Sequence, residues 1–141
     1  MSVDAESALR REIAAYNSHD LDRWLACYSD DAVVYDPTSP APLRGKAARR
    51  ANEEPFLRAF PDAEVKPLRI VAHGDSVALE AVITGTHQGP LQDGARTIPL
   101  TGRRIELRAA AWYRVNDQGL ITEERIYADP AHFAAQVGLG R

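Results

Sequence analysis

The chain has 141 residues, 45% of them hydrophobic, and a formal net charge of −3. That length suits one domain, 1–141, able to hide roughly 68% of its unfolded surface, and the composition excludes a disordered chain. The basic residues are scattered and are not interleaved with aromatics, which excludes nucleic acid as an expected partner.

The opening, MSVDAESALRRE, carries charge from residue 4 onward and has no apolar leader, which predicts a cytoplasmic protein. Ala5, Leu9, Ile13 and Tyr16 recur at helical spacing, with Asp4 as the N-cap. Asn17-Ser18-His19 breaks that pattern. Asp20 then caps a short second helix with Leu21, Trp24, Leu25 and Tyr28 on one face. Ser29-Asp30-Asp31 reads as a turn before a strand over 32–35. Pro37, Pro40 and Pro42 forbid a central strand beyond Asp36. A third helix runs from Gly45 toward Phe60 and stops at Pro61.

The second half reads as strands. A run over 65–72 leads to a turn at His73-Gly74-Asp75, and Val77, Leu79, Ala81 and Ile83 alternate over 76–87. Residues 88–98 hold two glycines and a proline and read as a loop. Over 103–115, Ile105, Leu107, Ala109, Ala111, Tyr113 and Val115 share one face. Asn116-Asp117-Gln118-Gly119 is a hairpin turn, 120–127 returns, and Pro130 opens a last helix carrying Phe133 and Val137. No apolar run approaches the ~20 residues of a membrane span, so no membrane partner is expected. Helices followed by an antiparallel meander make the fold class α+β.

Two stretches carry a resemblance to known families. Residues 17–45, NSHDLDRWLACYSDDAVVYDPTSPAPLRG, resemble the opening of bacterial ketosteroid isomerases. Residues 85–91, GTHQGPL, and 100–138, LTGRRIELRAAAWYRVNDQGLITEERIYADPAHFAAQVG, resemble the SnoaL-like polyketide cyclases. Both belong to the nuclear transport factor 2-like superfamily. The resemblance implies a cone-shaped fold, N-terminal helices packed on a strongly curved, mainly antiparallel sheet enclosing a pocket, in a homodimer. It also implies a cofactor-independent isomerase or cyclase acting on a small apolar, carbonyl-containing metabolite. Epoxide opening and noncatalytic binding of a hydrophobic ligand are the alternatives, because this fold hosts all of these. By the same resemblance Asp36 falls on the isomerases' general base, and Glu12 on their oxyanion-hole tyrosine. Their oxyanion-hole aspartate falls on Ala111 and the cyclases' catalytic aspartate on Ile126, with His87 at the pocket rim.

The residues themselves support part of this. Asp36 ends an apolar strand, where partial desolvation raises a carboxyl pKa toward the range of a useful base; Asp36-Pro37 can equally start a turn. Pairing Val115 with Leu120 would set Glu124 opposite Ala111 on the inner face. A shift at Gly119 would turn it outward, toward Arg104 or Arg114. Glu12 flanks the Leu9–Ile13–Tyr16 stripe and can reach the pocket mouth. The catalytic candidates are therefore Asp36, Glu124 and Glu12, and Tyr16, Tyr35, His87, Ala111 and Ile126 are expected to line the substrate.

Arg125, Tyr127 and Asp129 read as packing and salt-bridge residues beneath the last helix. No two histidines share metal-ligand spacing, so no metal is expected. Cys27, the single cysteine, reads as core and rules out an internal disulfide. Serine-nucleophile, phosphate-loop and dinucleotide motifs are all missing, which predicts no cofactor. The outward face of 104–114 presents Ala110 and Trp112 among arginines, a surface suited to sheet-against-sheet contact.

Overall fold

Burying the stripe formed by Leu9, Ile13 and Tyr16 is what holds α1 (Ala5–Asn17) against the rest of the chain. The computed structural model describes residues 4–93 and 95–139, so Gly94 lies outside the described residues. Asp4 occupies the N-cap position but caps no backbone N–H; its carboxylate accepts the Ser7 hydroxyl at 3.2 Å instead. Asp20 does cap α2 (Leu21–Leu25), accepting from the Arg23 N–H at 3.1 Å.

The chain then extends at once. Tyr28 is the first residue of β1 (Tyr28–Tyr35), not the last of a helical face, and Ser29-Asp30-Asp31 lie within that strand rather than in a turn. Pairing explains the difference. β1 runs parallel to β8 (Ile121–Tyr127), with Tyr28 opposite Ile121 and Val33 opposite Glu123, and the polar triplet falls in the irregular stretch between these pairs. The short β2 (Leu43–Arg44) pairs antiparallel with β1, and Gly45, at φ 86°, opens α3 (Lys46–Ala59).

β3 (Glu64–His73) and β4 (Ser76–Thr86) form a hairpin, and β4 pairs antiparallel along the length of β7 (Arg104–Val115). Between them the expected loop contains a small antiparallel hairpin, β5 (Leu91–Asp93) with β6 (Arg96–Ile98). Buried Ile98 and core-packed Leu91 anchor it, and the glycines and proline around them obscured that signal. The main sheet has the order β2-β1-β8-β7-β4-β3, antiparallel except at β1–β8.

Register determines which side chains of the last strands reach the interior. Val115 pairs with Ile121 and Tyr113 with Glu124, so Ala111 meets Ile126 and not Glu124. The expected pairing is off by two residues at Ala111: the turn adds one, setting Val115 opposite Ile121 rather than Leu120, and an irregularity at Arg114/Val115 adds the second. A two-residue slip preserves the face, and Glu124 still points inward. The core lies between that face and the helices, around Leu9, Trp24, Tyr28, Phe60, Ile105 and Ile121. Asp129 caps α4 (Pro130–Gln136), which Gln136 ties to both backbone groups of Glu106 at 2.7 and 3.0 Å. Among the described residues, no helix is long and apolar enough to cross a membrane.

Candidate active site

Six elements send polar side chains into the same buried place. α1 supplies Glu12 and Tyr16, α2 Trp24, β1 Tyr28, α3 Arg49 and Glu53, β7 Tyr113 and β8 Glu124. Glu12 and Tyr16 continue the helical stripe from Leu9. Arg49 and Glu53 continue backward, at the same spacing, the stripe of Phe56 and Phe60. Glu12 is 6% exposed and Glu124 4%. All of these side chains except Tyr28, together with Ile13, Val65 and Leu79, line a cavity of ≈ 110 Å³.

The hydrogen bonds form a connected set. Trp24 Nε1 donates to Glu12 Oε2 at 2.6 Å, and the Tyr16 hydroxyl to Glu53 Oε2 at 2.6 Å. The Tyr28 hydroxyl donates to Glu124 Oε1 at 2.6 Å and stands 3.3 Å from Glu12 Oε2. Arg49 lies 4.8 Å above the Trp24 ring, 3.6 Å from both Glu53 Oε1 and Glu124 Oε1, and 3.8 Å from Asp36 Oδ2.

Burial first, then the Glu124 charge, lifts the Glu12 carboxyl from its ordinary 4.5 to about 8, against the hydrogen bond from Trp24. The shift favours the protonated form of Glu12 near neutral pH. Burial also raises Glu53, although Arg49 and the Tyr16 hydrogen bond oppose it. Burial and then nearby carboxylates hold Tyr16, Tyr28 and Tyr113 well above the usual phenol range, so all three remain donors. Burial works against the charge on Arg49, but Glu124, the foremost of its charged neighbours, keeps it firmly protonated.

Proton counting then fixes a direction. Tyr28 has one hydroxyl proton, and the shorter bond to Glu124 takes it. The longer contact, to Glu12, is the weaker of the two. The result is a line of two carboxyl groups joined through one hydroxyl, with a guanidinium beside the Glu124 end.

Of the residues singled out in the sequence, Glu12, Tyr16 and Glu124 meet at the cavity. Asp36 is not in its lining. The Asp36 carboxylate accepts the Thr38 N–H at 2.8 Å and the Thr38 hydroxyl at 2.6 Å, the geometry of a turn start, and faces an outer depression with Tyr35 and Ile126. The Tyr35 ring lies 4.0 Å beneath the Arg125 guanidinium. Ala111 and Ile126 face each other across the β7–β8 ladder and pack against the core.

His87 is fully buried, not at a rim; it stacks on Phe60 at 5.3 Å, with Nδ1 2.9 Å from Thr101 Oγ1. Arg125 forms a salt bridge, with Glu123 at 2.6 Å, as expected of it, whereas Asp129 caps α4 and Tyr127 is exposed instead of packing beneath the last helix. Among the described residues, no group of three or more His, Cys, Asp and Glu side chains is arranged to hold a metal.

Sequence reasoning passed over Arg49, Glu53 and the polar roles of Trp24, Tyr28 and Tyr113. A signal existed for the first two. Counting back from Phe60 and Phe56 at helical spacing lands on Glu53 and Arg49, two charges on what is otherwise an inward stripe.

Comparison with known proteins adds to this geometry. The family model described as a SnoaL-like domain matches residues 9–124. The epoxide hydrolase LasB of Streptomyces lasalocidi is 30% identical over 124 residues, 84% of this chain; the chain spans 40% of the length of that curated relative. The crystal structure of IdmH from Streptomyces antibioticus, a candidate polyketide cyclase, is 28% identical with a TM-score of 0.78, over 95% of this chain and 98% of that one. A Catenulispora acidiphila protein of ketosteroid isomerase-like fold, 18% identical with a TM-score of 0.75 over 94% of this chain and 92% of that one, shares the fold.

Proposed function

The chain belongs to the SnoaL-like domain family, and from that premise we propose that it is an acid–base enzyme that isomerises or cyclises a small, largely apolar, carbonyl-containing metabolite. The observation that carries this reading is the line Glu12–Tyr28–Glu124, two buried carboxyl groups bridged by one hydroxyl beside one cavity, the Glu12 end lifted by burial toward the acid form. Carboxyl groups set in different environments divide into acid and base, which is the arrangement proton shuttling needs. Glu124 takes the proton, Glu12 returns one, and Tyr28 resets the pair. Both reactions are redox-neutral, so these side chains suffice without a cofactor.

On this reading the cavity is the deep end of a pocket enclosed by the curved sheet. It receives the reacting end of the substrate, since ≈ 110 Å³ is too little for a polycyclic skeleton. Asp36 holds Arg49 in place, and Ala111 and Ile126 form apolar wall further out. A dimer through the outer sheet face belongs to the same reading.

A second reading, epoxide opening, is favoured by the identity with LasB. Glu12 would then protonate the epoxide oxygen while Glu124 activates the attacking oxygen. Turnover of cyclic enones, polyketide esters and epoxides by wild type, Glu12→Gln and Glu124→Gln tests both. The carboxamides keep shape but cannot shuttle protons, so the rate on any hit is expected to fall by roughly 10²–10⁴-fold. Wild-type turnover by both variants would refute the acid–base roles. The class of compound that reacts separates the two readings.

A further inference from the structure

Arg49 has hydrogen-bonding capacity that the fold does not use. Its side chain is 7% exposed and lines the cavity, yet Nε is buried without a hydrogen-bond partner among the described residues. The four Nη hydrogens fare little better. The carboxylates of Glu53, Glu124 and Asp36 stand at 3.6, 3.6 and 3.8 Å, at ion-pair distance but beyond hydrogen-bond distance, and the one bond made among the described residues is to Asn52 Oδ1 at 3.5 Å. A buried guanidinium normally has its donors satisfied, because leaving them unmet is costly. The carboxylates supply the charge balance that keeps it inside, and they leave its N–H groups for something else.

We propose that Arg49 holds the reacting oxygen of the substrate, and that this oxygen belongs to a neutral carbonyl group. The charge around Arg49 selects the class. A carboxylate or phosphate ligand would add a full negative charge beside Glu124, Asp36 and Glu53, and like charges at such distances repel. A ketone, ester or thioester brings no charge, and gains negative charge on oxygen only as it reacts, which is when a preorganised donor counts most.

The step balances without a further reactant. The C–H bond beside the carbonyl breaks and its proton goes to the Glu124 carboxylate. The electron pair forms the carbon–carbon double bond, and the carbonyl π pair moves onto the oxygen facing Arg49. Return of that proton from Glu124 to another carbon completes isomerisation; in ring closure the enolate carbon attacks a second carbonyl, whose π pair moves to its oxygen, and the resulting alkoxide takes the proton back from Glu124.

This inference rests on the acid–base reading but can be tested apart from it. Cyclopentenone and cyclopentanecarboxylate are probes of equal ring size. Their binding to wild type, Arg49→Met and Arg49→Lys would be titrated, and the carbonyl stretch of the bound ketone recorded by difference infrared spectroscopy. The expected result is at least tenfold tighter binding of the ketone than of the carboxylate by wild type, with the carbonyl stretch moved to lower frequency. Arg49→Met loses that frequency shift and at least tenfold in ketone affinity.

Arg49→Lys keeps the charge, and so guards against a misfolded methionine variant. It loses the planar fork and Nε, and retains only part of the shift. An unshifted carbonyl in wild type, an equal shift in the variants, or tighter binding of the carboxylate would overturn the proposal, as would failure of the ketone to bind. Deuterium exchange beside the carbonyl of the same probe, lost in Glu124→Gln while the infrared shift persists, would separate proton transfer from the role of Arg49.

Discussion

Glu12 carries a charge equilibrium that should be visible in stability as well as in activity. Its folded-state pKa is raised, from 4.5 to about 8, chiefly by burial. Below 4.5 folded and unfolded chains both hold the proton, and the contribution is fully present. Between 4.5 and about 8 only the folded chain holds it, so this group lowers stability by roughly 1.4 kcal/mol for each pH unit of increase. The contribution is gone once pH passes through about 8. Glu12→Gln cannot titrate. Its urea midpoint, measured relative to wild type, should therefore improve steadily between about pH 5 and about pH 8. A constant offset across that range would mean that Glu12 is not held neutral. Glu12 was found in the sequence beside the Leu9–Ile13–Tyr16 stripe, whereas the stripe that leads back from Phe60 to Arg49 was passed over, since a charged pair one helical turn apart reads first as a solvated face.

At the scale of elements, α3 positions both Arg49 and Glu53, and its C-terminal end is held by the segment just after β4. Gln88 and Gly89 both donate to the Ala59 carbonyl, at 2.9 and 3.1 Å. A Cβ at Gly89 would lie 2.1 Å from the Arg58 carbonyl oxygen, a backbone atom that cannot swing aside. Gly89→Ala should thus cost about 2–4 kcal/mol, read as a lowered denaturation midpoint, and should weaken any activity by tilting the end of α3. A near-neutral effect would show that this contact gives way easily. The glycine was visible in the sequence only as loop material. Periodicity recovered α1, β4 and β7, because each buries one face at its own repeat, and the punctuation of Gly45 and Pro61 bounded α3. The β1–β8 pairing escaped, since two parallel strands far apart in the chain leave no local pattern, and with it went the true length of β1.

For the whole molecule, register aligns Val71, Ala78, Trp112 and Arg125 in one row across the outer face of the sheet, with Ala110 beside Tyr127 in the next. Val71 and Tyr127 are exposed, and Arg114 covers part of the Trp112 ring at 5.2 Å. If this face joins two copies, sedimentation equilibrium should give a dimer at micromolar concentration, and Trp112→Glu should weaken it by tenfold or more. A monomer in the wild type would exclude that assembly. The strand order β2-β1-β8-β7 also bears on how such a chain is made. β8 is the strand through which β1 and β2 join the rest of the sheet, and it is the last of this sheet's strands to be synthesised. Glu12, Tyr28 and Arg49 emerge long before Glu124, so the nascent chain has to keep these polar groups in water until β8 inserts. Contacts of such long sequence separation form slowly. Premature collapse around the half-built cluster, more than any weakness of the finished core, is then the hazard this fold must avoid during synthesis.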